Sequence, residues 1–436
     1  MKILLIIYDN GSFLHYFPIG TAYIASVLRK HGHTVEIYNQ DVDHYPDSYL
    51  RDYLDSYRFD VVGLGFVGNY YTYQKALKIS EAINASLNRP HFILGGHGPS
   101  ADPQYFLDKT GADAVVVGEG ERAVLKALEG KGVFKSPLVS DIDTLPWPAY
   151  DLFPVEYYRL RQLPHSTPTD FTMPVLTARG CIYKCNFCYR MDEGYRVRSI
   201  ESVVAEIKYL QQEYGITYID FADELTTASV KRTIALSEAL IPLNIKWMCN
   251  GRLNLVTQES LNLMKRSGCL FINYGIEAMD DEVLKRIGKH LTVDQITKGI
   301  EETLNAGISP GFNIIFGHIG DTKDTLRKGM EFICKYDDGS QRRTMLPVTP
   351  YPGSALYSEA IRRGLINDID DFYKKHQNSD LMTVNFTDLT DEEFYQVLYE
   401  ANSALLQNHY KIHLNDALAQ AKDLYLNRNT SFRGFR

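Results

Sequence analysis

Short apolar runs recur along the first 130 residues, each closed by glycine and followed by a stretch of helical periodicity. Lys2–Tyr8 is the first, ahead of a loop holding Pro18 and Gly20 and a helical stretch Thr21–His31 closed by Gly32. Thr34–Tyr38 alternates apolar and polar positions. Asp60–Phe66 is interrupted by Gly63 and Gly65, Phe92–Leu94 ends in Gly95-Gly96, and Ala114–Val117 ends in Gly118-Glu119-Gly120-Glu121. Runs of this length with helices between them predict an α/β, doubly wound parallel sheet covered on both faces. Ligands of such sheets sit beyond the carboxyl ends of the strands. By position, Gly63, Gly65, Gly95, Gly96 and Gly118 therefore form a ligand rim, or else they only make tight strand-to-helix turns.

The pattern then breaks. Residues 136–170 carry Pro137, Pro146, Pro148, Pro154, Pro164 and Pro168. Proline serves neither a ladder nor a helix interior, so this stretch reads as a linker or a strap between domains. Alternation resumes over 171–350, with candidate strands Val175–Ala178, Tyr218–Ala222, Lys246–Asn250, Phe271–Ile276, Phe312–Phe316 and Arg343–Val348. Ser199 can cap a helix whose apolar face is Val203, Val204, Ile207 and Leu210, with Gly215 stopping it. Six β/α units in series predict a partial barrel with chemistry at the carboxyl ends of its strands. A helix beginning in Thr387–Glu393 gives the remainder the character of a helical cap, and the terminal Arg433 and Arg436 read as a solvated tail. The expected division is 1–135, 136–170, 171–350 and 351–436.

Composition narrows the function. The 436 residues include 46 Lys plus Arg and 54 Asp plus Glu, a formal charge of −8. That balance argues against a general nucleic-acid binder. No apolar run approaches the ~20 residues of a membrane span. Leu4–Ile7 is too short for a signal-peptide core and is followed by Asp9 and Asn10, so the expected location is the cytoplasm. Six cysteines in a chain of this length are no disulfide framework.

Three of the six fall within eight residues: Cys181-Ile-Tyr-Lys-Cys185-Asn-Phe-Cys188. Three thiolates on one loop can hold soft metal. A structural zinc site wants four ligands, and no fourth cysteine or histidine lies within ten residues on either side. A [4Fe–4S] cluster also normally takes four thiolates; with three, one iron keeps a position open to a chelating substrate.

The spacing Cys-x3-Cys-x2-Cys, with Phe187 before the last cysteine, resembles the radical S-adenosylmethionine superfamily. Pro18-x-Gly20, Gly95-Gly96-His97 and Gly118-Glu119-Gly120-Glu121 are similar to the domain preceding the barrel in its cobalamin-dependent (class B) branch. Asp223-Glu224, Gly268-Cys269, Tyr274-Gly275-Ile276-Glu277, Gly317-x-x-Gly320-Asp321-Thr322 and Tyr351-Pro352-Gly353-Ser354 look like that branch too. The resemblance implies that Cys181, Cys185 and Cys188 bind three irons of a [4Fe–4S] cluster while S-adenosylmethionine chelates the fourth. A single electron, from a donor such as flavodoxin or ferredoxin, then releases a 5′-deoxyadenosyl radical. Such cofactors carry the hard chemistry, and no acid–base pair or nucleophile stands out in the sequence.

Around S-adenosylmethionine, Phe187 and Tyr189 either pack on the adenine or shield the cluster. Asp223 and Glu224 either bind the amino group or ribose or are solvated loop carboxylates. Arg252 pairs with the methionine carboxylate or with a surface partner, Glu277 with the ribose or a structural partner, and Gly317 admits the adenine. Cys249 and Cys269, within or beside barrel strands, are either core residues or catalytic thiols, and Cys334, on a helix, reads as core. The first loop, Asp9-Asn-Gly11-Ser with His15 six positions after Asp9, lacks the Asp-x-His-x-x-Gly motif that supplies a cobalt ligand in many cobalamin folds. The branch commonly lacks it, so cobalamin remains the expected third cofactor. The expected reaction is methylation of an unactivated carbon of a small molecule or secondary metabolite, with an oxidative cyclase or rearrangement enzyme as the alternative. A methylthiotransferase would carry extra cysteines in its first domain and a basic C-terminal module, and a non-enzymatic metal protein would release no 5′-deoxyadenosine.

Overall fold

In the computed structural model, which describes residues 1–11, 16–190 and 194–428, the apolar runs of the first third become β1 (Lys2–Ile7), β2 (Thr34–Asn39), β3 (Val61–Gly65), β4 (His91–Gly95), β5 (Ala114–Val117) and β6 (Gly132–Lys135). All pair in parallel, in the order β2-β1-β3-β4-β5-β6. Leu4, Val62, Phe92 and Val115 are fully buried because helices cover both faces of the sheet. The strand order reverses between β1 and β3, so the switch-point crevice opens at the loops after these two strands. The edge strand β6 escapes the sequence pattern. Its four residues, Gly-Val-Phe-Lys, alternate between half-buried and exposed and show no apolar run. His15 and the terminal arginines lie outside the described residues.

The proline stretch is a packed strap. Ile142, Tyr150, Phe153, Val155 and Tyr158 are buried in it. Tyr158 accepts a hydrogen bond from Asn39 at 3.0 Å, and Tyr150 donates to buried Glu206 at 2.7 Å. Its prolines forbid a ladder, but its apolar side chains still need cover, and they find it between the two sheets.

The second sheet contains β7 (Thr172–Val175), then β10 (Tyr218–Phe221), β11 (Lys246–Gly251), β12 (Cys269–Glu277), β13 (Ser309–Phe316) and β14 (Leu346–Pro347). It is a six-stranded parallel partial barrel ordered β14-β13-β12-β11-β10-β7. Two expectations need correction. The first barrel strand ends at Val175, because the next residues peel away: Ala178–Gly180 is a separate strand, β8, paired antiparallel with β9 (Tyr195–Val197). The last strand shrinks to two residues between Arg343, which is held by Asp337 and Asp338, and the turn after Pro350. The helix Ile200–Tyr214 forms as expected. Ser199 accepts the Ser202 N–H, and Gly215 closes the helix in the left-handed region.

The C-terminal region packs back onto the first sheet. Leu356, Phe372 and Tyr373 share one core with Leu64, Phe66 and Phe106, and Tyr373 stacks on Tyr73 with ring centroids 3.8 Å apart. A long helix, Asp391–Tyr425, begins in a capping box of Thr390 and Glu393. Phe394, Leu398, Ala401 and Leu405 bury its first half against the barrel. Cys249 and Cys269 are buried in that core, and Cys334 is half-buried beside it. Among the described residues no helix is long and apolar enough to cross a membrane.

Candidate functional site

The three clustered cysteines stand on the loop between β8 and β9, with Cys181 and Cys185 half-buried and Cys188 exposed. The loop is tied down at its middle. Asn186 donates its backbone N–H to Ile287 and accepts that of Leu356, and Arg190 donates to the Cys181 carbonyl at 2.7 Å. Among the described residues no three His, Cys, Asp or Glu side chains converge as the ligands of one ion do. The thiols are nonetheless electrostatic neighbours. Burial, then the charges of Cys185 and Glu224, push the Cys188 thiol up to about 11. Burial also raises Cys185, against the nearby Lys289 and Arg252. Thiolates set apart yet near one another suit the separate irons of a cluster, and loading it would displace their protons.

The expected nucleoside residues divide. Glu277 ends β12 and forms a buried ion pair with Lys289 at 2.8 Å. Arg252 is buried under a 3.5 Å stack with Tyr183 and gives its Nη2 to the carbonyls of Lys289 and His290. Asp223 is turned inward. Its two oxygens take the N–H groups of Thr177 and Ala178 and the Thr177 hydroxyl, which is what bends the chain away after β7. Its position past a strand end indicated a ligand carboxylate; its partners, more than forty residues earlier, make it a structural one. Glu224 stays at the cavity wall. Phe187 is half-buried and packs against both large cores, its ring 5.3 Å from that of His318. Tyr189 lies between His97 and Gly353, where a Cβ on the glycine would fall 2.4 Å from the ring.

Two further groups were not singled out from the sequence. Asp321 accepts the N–H groups of Gly317 and His318 and the Thr325 hydroxyl, and burial still lifts its carboxyl to about 6. Its signal was present in Gly320-Asp321-Thr322. His318 is wholly buried, and neither ring nitrogen has a hydrogen-bond partner among the described residues. Burial, then the Lys289 charge, hold it neutral by driving its pKa down to about 3. Orphaned polar atoms beside Phe187 leave hydrogen-bonding capacity that a polar ligand can fill.

A cavity of about 870 Å³ separates the first sheet from the barrel. Gly63, Gly65, Gly95, Gly96 and Gly118 all line it, facing Ala178, Gly180 and Glu224. At Gly65 a Cβ would meet nothing closer than 3.9 Å, so the missing side chain leaves room. Below this rim the cavity descends between β1, β3 and their covering helices, past Leu5, Leu28, Val61 and Val124. A broad rim with an apolar slot beneath it suits a flat macrocycle with an appended tail. Glu119 and Glu121 also line the cavity and there bind Arg179, at 3.0 and 2.6 Å, and Glu119 binds Arg196 at 2.7 Å.

Comparison with known proteins agrees with this geometry. Residues 175–333 match the Radical SAM superfamily and residues 12–128 the B12 binding domain. An uncharacterized methyltransferase of Pyrococcus horikoshii is 27% identical over 412 residues, spanning 88% of this chain and 86% of its own. The anaerobic magnesium-protoporphyrin IX monomethyl ester cyclase of Rubrivivax gelatinosus is 25% identical over 383 residues, 78% of this chain and 66% of that one. Among solved structures, the radical S-adenosylmethionine methyltransferase TsrM of Kitasatospora setae shares the fold at a TM-score of 0.65 and 17% identity, over 83% of this chain and 76% of its own. The cofactors of the matched families are a [4Fe–4S] cluster, S-adenosylmethionine and cobalamin, and the three thiols and the glycine-rimmed cavity fit them. The chain is a radical S-adenosylmethionine enzyme, of the branch that carries a B12 binding domain ahead of the barrel.

Proposed function

We propose that the enzyme is a cobalamin-dependent methyltransferase acting on an unactivated carbon of a small molecule. The observation that carries this reading is the place of the large cavity. It opens between the glycine rim and β8, the strand leading into the cysteine loop, and His97 of the rim touches Tyr189 beside Cys188. When bound, the cluster supplies the electron that cleaves S-adenosylmethionine to a radical, and the corrinoid carries the methyl group.

The chain's own residues position and shield. Cys181, Cys185 and Cys188 hold three irons. Glu277, Gly317 and the Phe187–His318 contact line the place for the nucleoside. Residues 1–135 hold the corrinoid, residues 171–350 hold the cluster, and the strap 136–170 fixes the two together. The buried Arg252 and Lys289 place positive charge beside Cys185, which favours thiolate over thiol and offsets the negative charge of a ligated cluster. Phe187 and Tyr189 screen the loop from water. Six free cysteines suit the reducing cytoplasm, where a flavodoxin or ferredoxin would deliver the electron.

Reconstitution without oxygen, with iron, sulfide and hydroxocobalamin, followed by gel filtration, tests the reading. Protein should elute with corrin absorbance and release 5′-deoxyadenosine from S-adenosylmethionine. Cys185→Ala should bring that release to background while leaving corrin bound. Elution without corrin, or nucleoside release unchanged by Cys185→Ala, would overturn it. Similarity to the ester cyclase supports a second reading, oxidative cyclisation. Product mass separates the two: gain of one CH2 for methylation, loss of hydrogen for cyclisation.

A further inference from the structure

Side chains alternate along a strand, so Ile272, Tyr274 and Ile276 on the outer face of β12 leave Asn273 to the barrel interior. The same alternation turns Asp220, Asn250 and Asn313 inward from β10, β11 and β13. The interior of a (β/α) barrel is usually filled by branched apolar residues. Here it carries a ladder of amides. Asn313 donates to the Asn273 carbonyl oxygen at 2.8 Å, Asn273 donates to that of Asn250 at 3.1 Å, and Asn250 donates to the backbone carbonyl of Asp223 at 2.8 Å.

The ladder is built into the sheet. Asn250 and Asn273 are register partners, and Gly311 is the partner of Asn273 on the next strand. A Cβ at Gly311 would lie 2.5 Å from the Asn273 carbonyl oxygen, so only glycine leaves that amide its place. The direction of donation is fixed from Asp223 outward, so the chain ends on the Asn313 side-chain oxygen and its remaining N–H. Asn313 is exposed between buried Phe312 and Ile314, on a strand that β14 joins only from Ile315 onward. Beneath the ladder, one layer down, the Asp220 carboxyl takes no hydrogen bond from any described residue. Burial lifts its pKa to about 6 despite the Arg161 charge.

We infer that the barrel interior is a binding site for a polar, hydrogen-bonding substrate, read by the amide edge of Asn313 with Asp220 below it, and not for a lipid or a tetrapyrrole pigment. A buried polar group left unpaired destabilises a complex by far more than a well-made hydrogen bond stabilises it. An apolar guest covering the Asn313 amide would leave it unpaired, and one reaching the Asp220 layer would do the same to that carboxyl. A guest bearing a hydroxyl, amide or amine at either depth satisfies the group it meets. This inference rests on the proposed methyltransferase reading and names its substrate class.

The test uses the full reconstituted enzyme with S-adenosylmethionine bound, without oxygen. Release of 5′-deoxyadenosine by the wild type tests the reading itself and is scored separately. Binding is then measured with cytidine 5′-monophosphate and L-tryptophan as polar probes, and with protoporphyrin dimethyl ester and a C30 hopene as apolar ones. At least one polar probe should bind. Asn313→Leu should weaken it about tenfold, the size of one lost hydrogen bond. Because Asn313 is exposed, Asn313→Leu should keep the wild-type melting temperature and corrin content. Asn273→Leu should weaken the same probe by releasing Asn313 from its donor geometry. The inference is overturned if neither polar probe binds at millimolar concentration. It is equally overturned if Asn313→Leu leaves polar binding unchanged, or if an apolar probe binds the wild type more tightly than the polar ones.

Discussion

A carboxylate at the end of an apolar strand can serve a ligand or a neighbouring cation, and at Glu277 the cation is in place. The residue sits at φ 69, in the left-handed region that a non-glycine residue seldom adopts. A register shift between Gly275 and Glu277 produces that turn and aims the carboxylate at Lys289. Both side chains are buried, so removing one partner leaves the other charged and unpaired. Lys289→Met should destabilise the apo-chain by about 3–5 kcal/mol, and the double replacement Glu277→Gln/Lys289→Met should recover most of that loss. Urea unfolding of the full chain measures both; a single replacement costing no more than the double would show that the charge pair is not the cause. The cysteines were readable because all three belong to one loop and their chemistry is carried by spacing alone. Asp223 and Arg252 were not. Their partners, Thr177 and Lys289, lie 46 and 37 residues away, and only the folded barrel brings them together.

Helix starts and stops were legible where the side chain acts on its own backbone. Ser199, Gly215 and the Thr390–Glu393 box are local hydrogen-bond devices, and each performs as its type predicts. Strand ends were less legible. β7 stops because Asp223 captures the N–H groups of Thr177 and Ala178 just beyond it, and β6 exists because β5 offers it an edge; neither cause is local. The turn Tyr351–Ser354 combines both kinds. Gly353 adopts φ 91, which its type allows, but what demands glycine is the ring of Tyr189, 2.4 Å from any Cβ placed there. Gly353→Ala should therefore cost about 1–2 kcal/mol from backbone strain alone and also displace Tyr189 from His97. Iron content after reconstitution should fall with it. A variant with lowered stability but full iron and corrin content would confine the effect to the turn.

Across the whole molecule, the stretch Gly118-Glu119-Gly120-Glu121 serves two roles at once. All four residues line the cavity, and the two glutamates also reach across to Arg179 and Arg196 on the β8–β9 pair. Burial would raise Glu119, but the Val139 N–H and Arg179 overcome it and hold the carboxylate below its usual range. Arg179 stands two residues before Cys181, so these ion pairs fix the glycine rim to the start of the cysteine loop. Reading the motif as a ligand rim found its place but missed this clasp, since the arginines belong to the other sheet. Replacing Glu119 and Glu121 by glutamine leaves two buried guanidinium groups without their counter-charges, a loss of about 3–5 kcal/mol at the contact. Neither glutamate is needed for iron ligation. The doubly substituted enzyme should thus retain its iron while amide hydrogen exchange accelerates in β8 and β9 and corrinoid dissociation quickens. Unchanged exchange in β8 and β9 with unchanged corrinoid retention would show that the strap and the shared core hold the two sheets together without the clasp.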